Sequence, residues 1–221
     1  VTVNDLTFKG TMYSMTLGHY RSKNPGGFNT ELNNVNVIDT EVASFSSNIS
    51  PAVTVYGTAV LNNTNIYGTK LSPLDTSPMW PVYDLAVVNN TTTTINGGKI
   101  GTIFTWAKAY LEINNAEIDT ITSQIEYRSD FKKANLVIGS GTKVNKVIVK
   151  ENKAVVTIKS TAEVGTLDLC AHPLTGMKLN IEKGAKIDKI ILKDGDSCKE
   201  MSYDEWYKST TPITVNSVDE F

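Results

Sequence analysis

Residues that could do chemistry are few in this chain, and they stand far apart. The two histidines, His19 and His172, are distant in sequence, and neither stands at a metal-ligand spacing. Asp39, Asp119 and Asp188 fall in or near predicted turns of nonadjacent repeats. A glycosidase needs two carboxylates about 5–10 Å apart, and no adjacent repeats supply such a pair. We therefore predict no catalytic residue, no metal ligand and no cofactor.

A first set of candidate binding residues lies near the N-terminus. Residues 18–21 join a titratable side chain, an aromatic ring and one of only two arginines, at His19, Tyr20 and Arg21. The alternative interpretation is an ordinary polar loop. Because of this combination of residue types we keep these three residues as binding candidates.

A second set of candidates is aromatic. Trp80, Tyr83 and Trp106 fall close in sequence around a proline-rich segment, together with Phe104 and Tyr110. Aromatic faces stack on sugar rings, so Trp80, Tyr83 and Trp106 are predicted to contact a glycan. The alternative is that these rings pack an insertion onto the rest of the fold.

Composition excludes several classes of function. The 221 residues are 40% hydrophobic and 20% charged, with a net charge of −2, and this composition and length fit either one elongated globular domain or two small ones. With only two arginines and no basic excess, nucleic acid is not predicted as a partner. The apolar runs are far too short to span a bilayer, so no membrane insertion is predicted.

Two cysteines, Cys170 and Cys198, are present. Two cysteines cannot form a disulfide framework or a cysteine-based zinc site. One disulfide and two free thiols both remain open.

A repeat dominates the second half of the chain. Five segments read apolar-x-apolar, apart from Thr93 in the first, at residues 93–95, 111–113, 136–138, 156–158 and 179–181. Each is followed by two apolar anchors three positions apart: Ile100 and Ile103, Ile118 and Ile121, Val144 and Val147, Val164 and Leu167, Ile187 and Ile190. A spacing of roughly 18–25 residues is typical of one rung of a solenoid, and the apolar alternation predicts strands with one buried face.

Two further regularities support this alignment. The residue after the first anchor is Gly101, Asp119, Asn145, Gly165 or Asp188, which predicts a bent or left-handed backbone there in every repeat. The residue before that anchor alternates in charge: Lys99, Glu117, Lys143, Glu163, Lys186. Side chains on adjacent parallel strands lie about 4.8 Å apart, so opposite charges would stabilise the stack by about 0.2–1 kcal/mol per pair.

The first half is less regular but compatible with the same architecture. Asn-rich turns recur at residues 33–34, 62–63, 89–90 and 114–115, and their side chains are predicted to hydrogen-bond from rung to rung. We predict insertions near residues 9–31 and 69–82, and a β-helical domain over residues 1–198. Residues 199–221 are predicted to form a C-terminal cap or tail, in which Ser202 and Glu205 have the spacing of a capping box that opens a short helix.

These rungs resemble the pectate-lyase-like right-handed parallel β-helix superfamily, most clearly at residues 3–8 and 53–68. The resemblance implies an all-β, single-stranded right-handed parallel β-helix with a short C-terminal helical cap. It covers most of residues 1–195 but includes no active-site motif. The Gly-His-Gly turn and the aspartate cluster of polygalacturonase-like enzymes are missing, as are the stacked acidic calcium ligands of pectate lyases.

Function is therefore predicted to be structural or adhesive. We expect a non-catalytic, monomeric β-helix module of a bacterial protein that is exported or held at the cell surface, contacting a polysaccharide or a cell-surface protein. The competing hypothesis is a polysaccharide lyase or glycoside hydrolase-like enzyme, or a degenerate relative, acting on an acidic polysaccharide.

Overall fold

The structure is a computed structural model that describes residues 1–12, 14–18, 28–42, 50–73, 81–88, 91–106, 109–124, 135–150, 154–171 and 177–208. Within these ranges the chain forms β-strands and one short helix, so the predicted all-β class is confirmed. The strands belong to two sheets, and the chain returns to the first sheet after each passage through the second. We call one such passage through both sheets a rung.

The first sheet has eight parallel strands within the described residues, each contributed by a successive rung. In order across the sheet they are β1 (Thr2–Asn4), β4 (Asn29–Asn33), β7 (Thr58–Asn62), β11 (Thr92–Asn96), β13 (Tyr110–Asn114), β15 (Asn135–Ile138), β17 (Val155–Ile158) and β19 (Lys178–Ile181).

The second sheet is larger because several rungs contribute more than one strand to it. Its main path is β2 (Thr7–Met12), β5 (Asn36–Val42), β8 (Asn65–Tyr67), β12 (Lys99–Trp106), β14 (Glu117–Gln124), β16 (Lys143–Val149), β18 (Glu163–Asp168), β20 (Lys186–Asp194) and β21 (Ser197–Ser202). Four further strands lie off this path: β3 (Met15–Gly18), β6 (Ser50–Tyr56), β9 (Lys70–Leu71) and β10 (Val82–Val88). The only antiparallel pairing among the described strands joins β20 to β21.

The registers confirm the repeat that the sequence predicts. Leu111 pairs with Thr93 on one side and with Leu136 on the other, and Ile118 pairs with Ile100 and with Val144. Buried residues of both sheets form one hydrophobic cluster, which includes every predicted anchor. Alternation along each strand thus places one face in the core, as the period of two requires.

The charge ladder is confirmed as a register and, in part, as ion pairs. Lys99, Glu117, Lys143, Glu163 and Lys186 are successive partners across the second sheet. The Glu163 carboxylate lies 3.7 Å from Lys143 Nζ and 3.0 Å from Lys186 Nζ. Lys99 instead holds its ammonium over the Tyr67 ring, 5.8 Å from the centroid.

Of the bent or left-handed backbone that was predicted after the first anchor, the left-handed alternative is wrong. Gly101, Asp119, Asn145, Gly165 and Asp188 do not have a positive φ. Six residues with a positive φ instead follow strands of the first sheet, where the chain turns into the second: Asp5, Asn34, Asn63, Gly97, Asn115 and Gly141. Positions 101 and 165 have no room for a side chain, because a Cβ there would be too close to the Asp84 carboxylate and the Asn145 carbonyl oxygen, respectively. Glycine is the residue that fits at both positions.

The predicted insertion at residues 9–31 also needs correction. Strand β2 runs to Met12, β3 occupies Met15–Gly18, and β4 begins at Asn29, so much of this segment belongs to the sheets. Within the predicted insertion at 69–82, the pair Lys70–Leu71 forms β9 beside β5. The repeat was not recognised in these places because their strands are short or rich in polar residues.

We call β21 and the helix that follows it the C-terminal cap, and this helix confirms the predicted one. Helix α1 (Tyr203–Lys208) follows β21. The Glu205 backbone N–H donates to Ser202 Oγ at 3.2 Å, and the Ser202 N–H donates to Glu205 Oε2 at 3.1 Å, which is the reciprocal pattern of a capping box. Trp206 is 4% exposed and joins the main hydrophobic core.

A disulfide links this cap to the rungs. Cys170, just after β18, is bonded to Cys198 in β21, with 5.6 Å between their Cα atoms. The sequence left open whether these cysteines form a disulfide or remain free thiols, and the structure has the disulfide.

Candidate functional site

The structure brings two of the six predicted binding residues into one cluster. Tyr83 lies in β10 and Trp106 ends β12, and both pack against buried Ala86, Val88 and Phe104. The other four, His19, Tyr20, Arg21 and Trp80, lie outside the described residues. Their role in binding remains a prediction.

This group, which we call the lateral aromatic cluster, consists of Tyr56, Tyr83, Ala86, Val88, Phe104 and Trp106. It is separate from the main core. Residues on either side of Ala86, namely Leu85 and Val87, belong to the main core, so Ala86 points to the opposite face of the sheet. The cluster therefore lies on the outer face of the second sheet.

Register across β6, β10, β12 and β14 positions the cluster. Ala86 is the partner of Thr54 on one side and of Phe104 on the other, and Val88 is the partner of Trp106. The Tyr83 and Phe104 rings stack with centroids 4.9 Å apart and an interplanar angle of 29°. Phe104 is 5% exposed, whereas Tyr83, Tyr56 and Trp106 are half-buried.

The Tyr83 phenol is partly buried in the lateral aromatic cluster. Burial raises the pKa of Tyr83, and a hydrogen bond with the Thr122 side chain acts in the opposite direction. The phenol therefore stays neutral at physiological pH and is available as a hydrogen-bond donor and acceptor rather than as a base. Half-buried aromatic rings beside a neutral hydroxyl can bind a sugar face by stacking and by hydrogen bonding.

Asp84, next to Tyr83, is the buried carboxylate nearest to this cluster in sequence, and sequence reasoning missed it. It is 4% exposed and accepts hydrogen bonds from the Thr69 N–H at 3.0 Å, the Thr102 N–H at 2.6 Å and the Thr102 hydroxyl at 2.9 Å. These donors come from the segment after β8, in the same rung as Asp84, and from β12, so Asp84 joins two rungs. Its hydrogen-bonding capacity is used in holding strands together rather than directed to a ligand.

Asparagines form a second polar array, which we call the asparagine ladder. Successive Nδ2 groups donate to the Oδ1 of the preceding rung at 2.9, 2.8, 3.0 and 3.3 Å, along Asn4, Asn33, Asn62, Asn96 and Asn114. The sequence predicted this bonding for Asn33, Asn62 and Asn114. Asn4 and Asn96 were missed because neither has a second asparagine beside it.

Among the residues that the structure describes, no group of three or more histidine, cysteine or acidic side chains is arranged to hold a metal ion. In the same part of the chain, no helix is long and apolar enough to cross a membrane. Comparison of the chain with family models, curated proteins and solved structures gave no match.

Proposed function

We propose that the chain is a non-catalytic structural module of an exported bacterial protein. In this proposal its rungs wind as a right-handed parallel β-helix of the pectate-lyase-like type, and its lateral face contacts a glycan or a protein. The observation that carries the proposal is the asparagine ladder. Polar side chains that could serve an active site are bonded from rung to rung, which builds a rigid stack.

The disulfide supports the exported location. Structural disulfides persist in oxidising compartments and are rare in the cytosol of mesophiles. The Cys170–Cys198 bond joins the segment after β18 to β21 and thereby links the cap to the rungs.

The lateral aromatic cluster supports an adhesive role. Half-buried Tyr83 and Trp106 are fixed by neighbouring strands, so little side-chain entropy would be lost when a sugar ring stacks on them. A flat, pre-positioned aromatic surface on a rigid rod suits a polysaccharide better than a small substrate.

A glycan-array screen tests the adhesive part. The wild-type chain should bind at least one glycan, and the Tyr83→Ala/Trp106→Ala double variant should lose that binding while keeping its circular dichroism spectrum. Tyr207→Ala is the matched control, because Tyr207 is an exposed aromatic at the capped end and should leave binding unchanged. Equal binding by wild type and the double variant would contradict a role for the cluster.

An activity assay tests the non-catalytic part. The chain should release neither unsaturated products nor reducing ends from pectate, alginate or other acidic polysaccharides. Turnover above that of a heat-denatured sample, on any of them, would favour the competing enzyme hypothesis.

A further inference from the structure

One peptide at the end of a strand of the first sheet combines two residue types that together are chemically labile. Asn96 ends β11, and Gly97 follows it at the turn into the second sheet. This is the one Asn-Gly step in the sequence. In such a step the glycine nitrogen can attack the asparagine side chain, because glycine has no Cβ to obstruct the approach.

The packing of one rung on another accounts for both residues. Asn96 belongs to the asparagine ladder, so position 96 holds an amide side chain. Gly97 has a φ of 80°, and a Cβ there would lie 2.6 Å from Asn63 Oδ1, so glycine fits without displacing that side chain. The same turn position holds asparagine in other rungs, at Asn34, Asn63 and Asn115. The labile step is therefore a consequence of how this rung is built.

Neighbouring rungs hold the Asn96–Gly97 peptide from both sides. The Asn96 carbonyl accepts from the Asn63 N–H at 2.9 Å, in the preceding rung. The Gly97 N–H donates to the Asn114 carbonyl at 2.8 Å, in the following rung. The nitrogen that would attack is thus engaged in a hydrogen bond, and its peptide cannot rotate while both bonds are kept.

The side chain that would be attacked is held in the same way. Asn96 Nδ2 donates to Asn62 Oδ1 at 3.0 Å. Asn96 Oδ1 accepts from Asn114 Nδ2 at 3.3 Å. Ring closure onto the Gly97 nitrogen rotates the Asn96 amide out of this geometry, and both bonds are lost. Asn96 is an exposed residue, so water reaches its side chain once these bonds open.

From this arrangement we propose that Asn96 is a modification site, at which deamidation occurs only when its rung separates from the neighbouring rungs. The Gly97 amide loses its proton to solvent base, its nitrogen bonds to Asn96 Cγ, and Nδ2 leaves as ammonia after taking up a proton from water. Water then opens the resulting succinimide at either carbonyl, which gives aspartate or isoaspartate. The reaction needs no oxidant, reductant or cofactor.

Conversion would weaken the stack in the middle of the ladder. A carboxylate at position 96 accepts hydrogen bonds but cannot donate, so the bond to Asn62 Oδ1 is lost and two oxygens face each other. Isoaspartate also adds its side-chain carbon to the backbone, which lengthens the chain between β11 and the turn. A single opening of the rung is thereby made permanent. The inference goes beyond the proposed function and holds whether or not the lateral aromatic cluster binds a glycan.

Peptide mapping of the aged full chain tests the proposal. Samples are kept at mildly alkaline pH, native or unfolded in guanidinium chloride, and deamidation at each asparagine is followed by mass spectrometry. Asn96 should deamidate at least about tenfold faster in the unfolded sample, because opening of the rung limits the native rate. In the unfolded sample it should also deamidate faster than Asn33, Asn62 and Asn114, each of which precedes another asparagine.

Two variants separate the chemistry of the step from its protection by the fold. Gly97→Asn gives this rung the Asn-Asn step of the others, so Asn96 of the unfolded variant should deamidate no faster than Asn33. Asn62→Ala removes the acceptor of Asn96 Nδ2, so native Asn96 should deamidate faster than in the wild type. Asn145→Ala is the matched control, because it removes one exposed asparagine hydrogen bond elsewhere and should leave the native rate unchanged.

Three results would overturn the proposal. One is an equal rate at Asn96 in native and unfolded wild type, since the hydrogen bonds would then give no protection. Another is an unfolded wild type in which Asn96 is no faster than Asn33, since Gly97 would then confer no lability. The third concerns the consequence: Asn96→Asp should have a lower Tm than the wild type, and an unchanged Tm would show that conversion does not weaken the stack.

Discussion

Side chains at equivalent positions of successive rungs change from asparagines to a lysine–glutamate ion pair along the first sheet. The asparagine ladder ends at Asn114, because the next position is Gly139, where even a Cβ would contact the Asn114 side chain. The two following positions are Lys159 and Glu182, whose charged groups lie 2.7 Å apart. Amide hydrogen bonds therefore connect the N-terminal rungs at this column, and an ion pair connects the last two.

The middle of the asparagine ladder should contribute measurably to stability. Asn62 donates to Asn33 and Glu31 and accepts from Asn96, so Asn62→Ala leaves partners unpaired on both sides. We expect it to lower the free energy of unfolding by about 1–2 kcal/mol in urea titrations. Asn145→Ala is the control, because Asn145 is exposed and makes one hydrogen bond, to Asp119. It should cost at most about 0.5 kcal/mol, and equal losses for the two variants would refute the ladder's contribution.

Acid should weaken the last rungs through Glu182. Hydrogen bonds from Lys159 and from the Ser160 backbone N–H lower the pKa of Glu182 below its ordinary value of 4.5. A carboxyl group with a lower pKa in the folded state stabilises the protein above the unfolded pKa, and that contribution is lost as the pH falls through the folded value.

The Tm of the wild type should therefore drop more between pH 7 and pH 3 than that of Glu182→Gln. Glu117→Gln, at an exposed position without an ion pair to any described residue, is the control and should follow the wild type. Parallel pH profiles for all three proteins would show that the Lys159–Glu182 pair contributes nothing.

Two buried threonines should have opposite effects on stability when each is changed to valine. Thr93 is fully buried in the core, and its hydroxyl has no hydrogen-bond partner among the described residues. Thr64 is equally buried, but its hydroxyl donates to the Leu32 carbonyl at 3.3 Å and the Asn62 carbonyl at 3.2 Å. Thr93→Val should stabilise the protein by about 1 kcal/mol, and Thr64→Val should destabilise it by about as much. Calorimetry would contradict this account if both changes moved the Tm in the same direction.

At the scale of elements, the cap depends on its covalent link to the coil. The Cys170–Cys198 bond closes a loop with a sequence separation of 28, for which loop entropy predicts a stabilisation of about 3–4 kcal/mol. In urea titrations the Cys170→Ser/Cys198→Ser variant should have a free energy of unfolding that is lower by that amount, and therefore a lower urea midpoint. The backbone amides of β21 in the variant should exchange faster than those of β5. The reduced wild type should behave like the variant. An unchanged urea midpoint would mean that the cap is held by Trp206 and β21 alone.

Elements of the C-terminal half were predictable from the sequence, and several of the N-terminal half were not. From Thr93 onwards each rung repeats its apolar anchors at fixed offsets, so register followed from alignment, as at Ile100 and Ile118. Strand β3 escaped prediction because it lies off the main path of the second sheet and inside a predicted insertion. Only residues 53–55 of β6 were recognised, because six of its seven residues are buried and its first residues do not alternate between apolar and polar.

At the scale of the whole molecule, the candidate site was harder to predict than the fold. Tyr83 and Trp106 were singled out by residue type, but the register that joins them through Val88 and Ala86 could not be read from spacing. Asp84 was missed for the same reason, since its donors at Thr69 and Thr102 come from different rungs. The repeat can be recognised in the sequence, whereas contacts across the outer face of the second sheet depend on how the strands off its main path pair with the rungs.

The disulfide restricts the order in which the C-terminal strands can separate. Each described strand of the first sheet pairs only with strands of adjacent rungs, so local unfolding there would spread from one rung to the next. The C-terminal end cannot peel away while Cys198 remains bonded to Cys170, since β21 would have to carry β18 with it. Reduction of the disulfide is therefore the step that would let β21 separate from β20 without disturbing the end of β18.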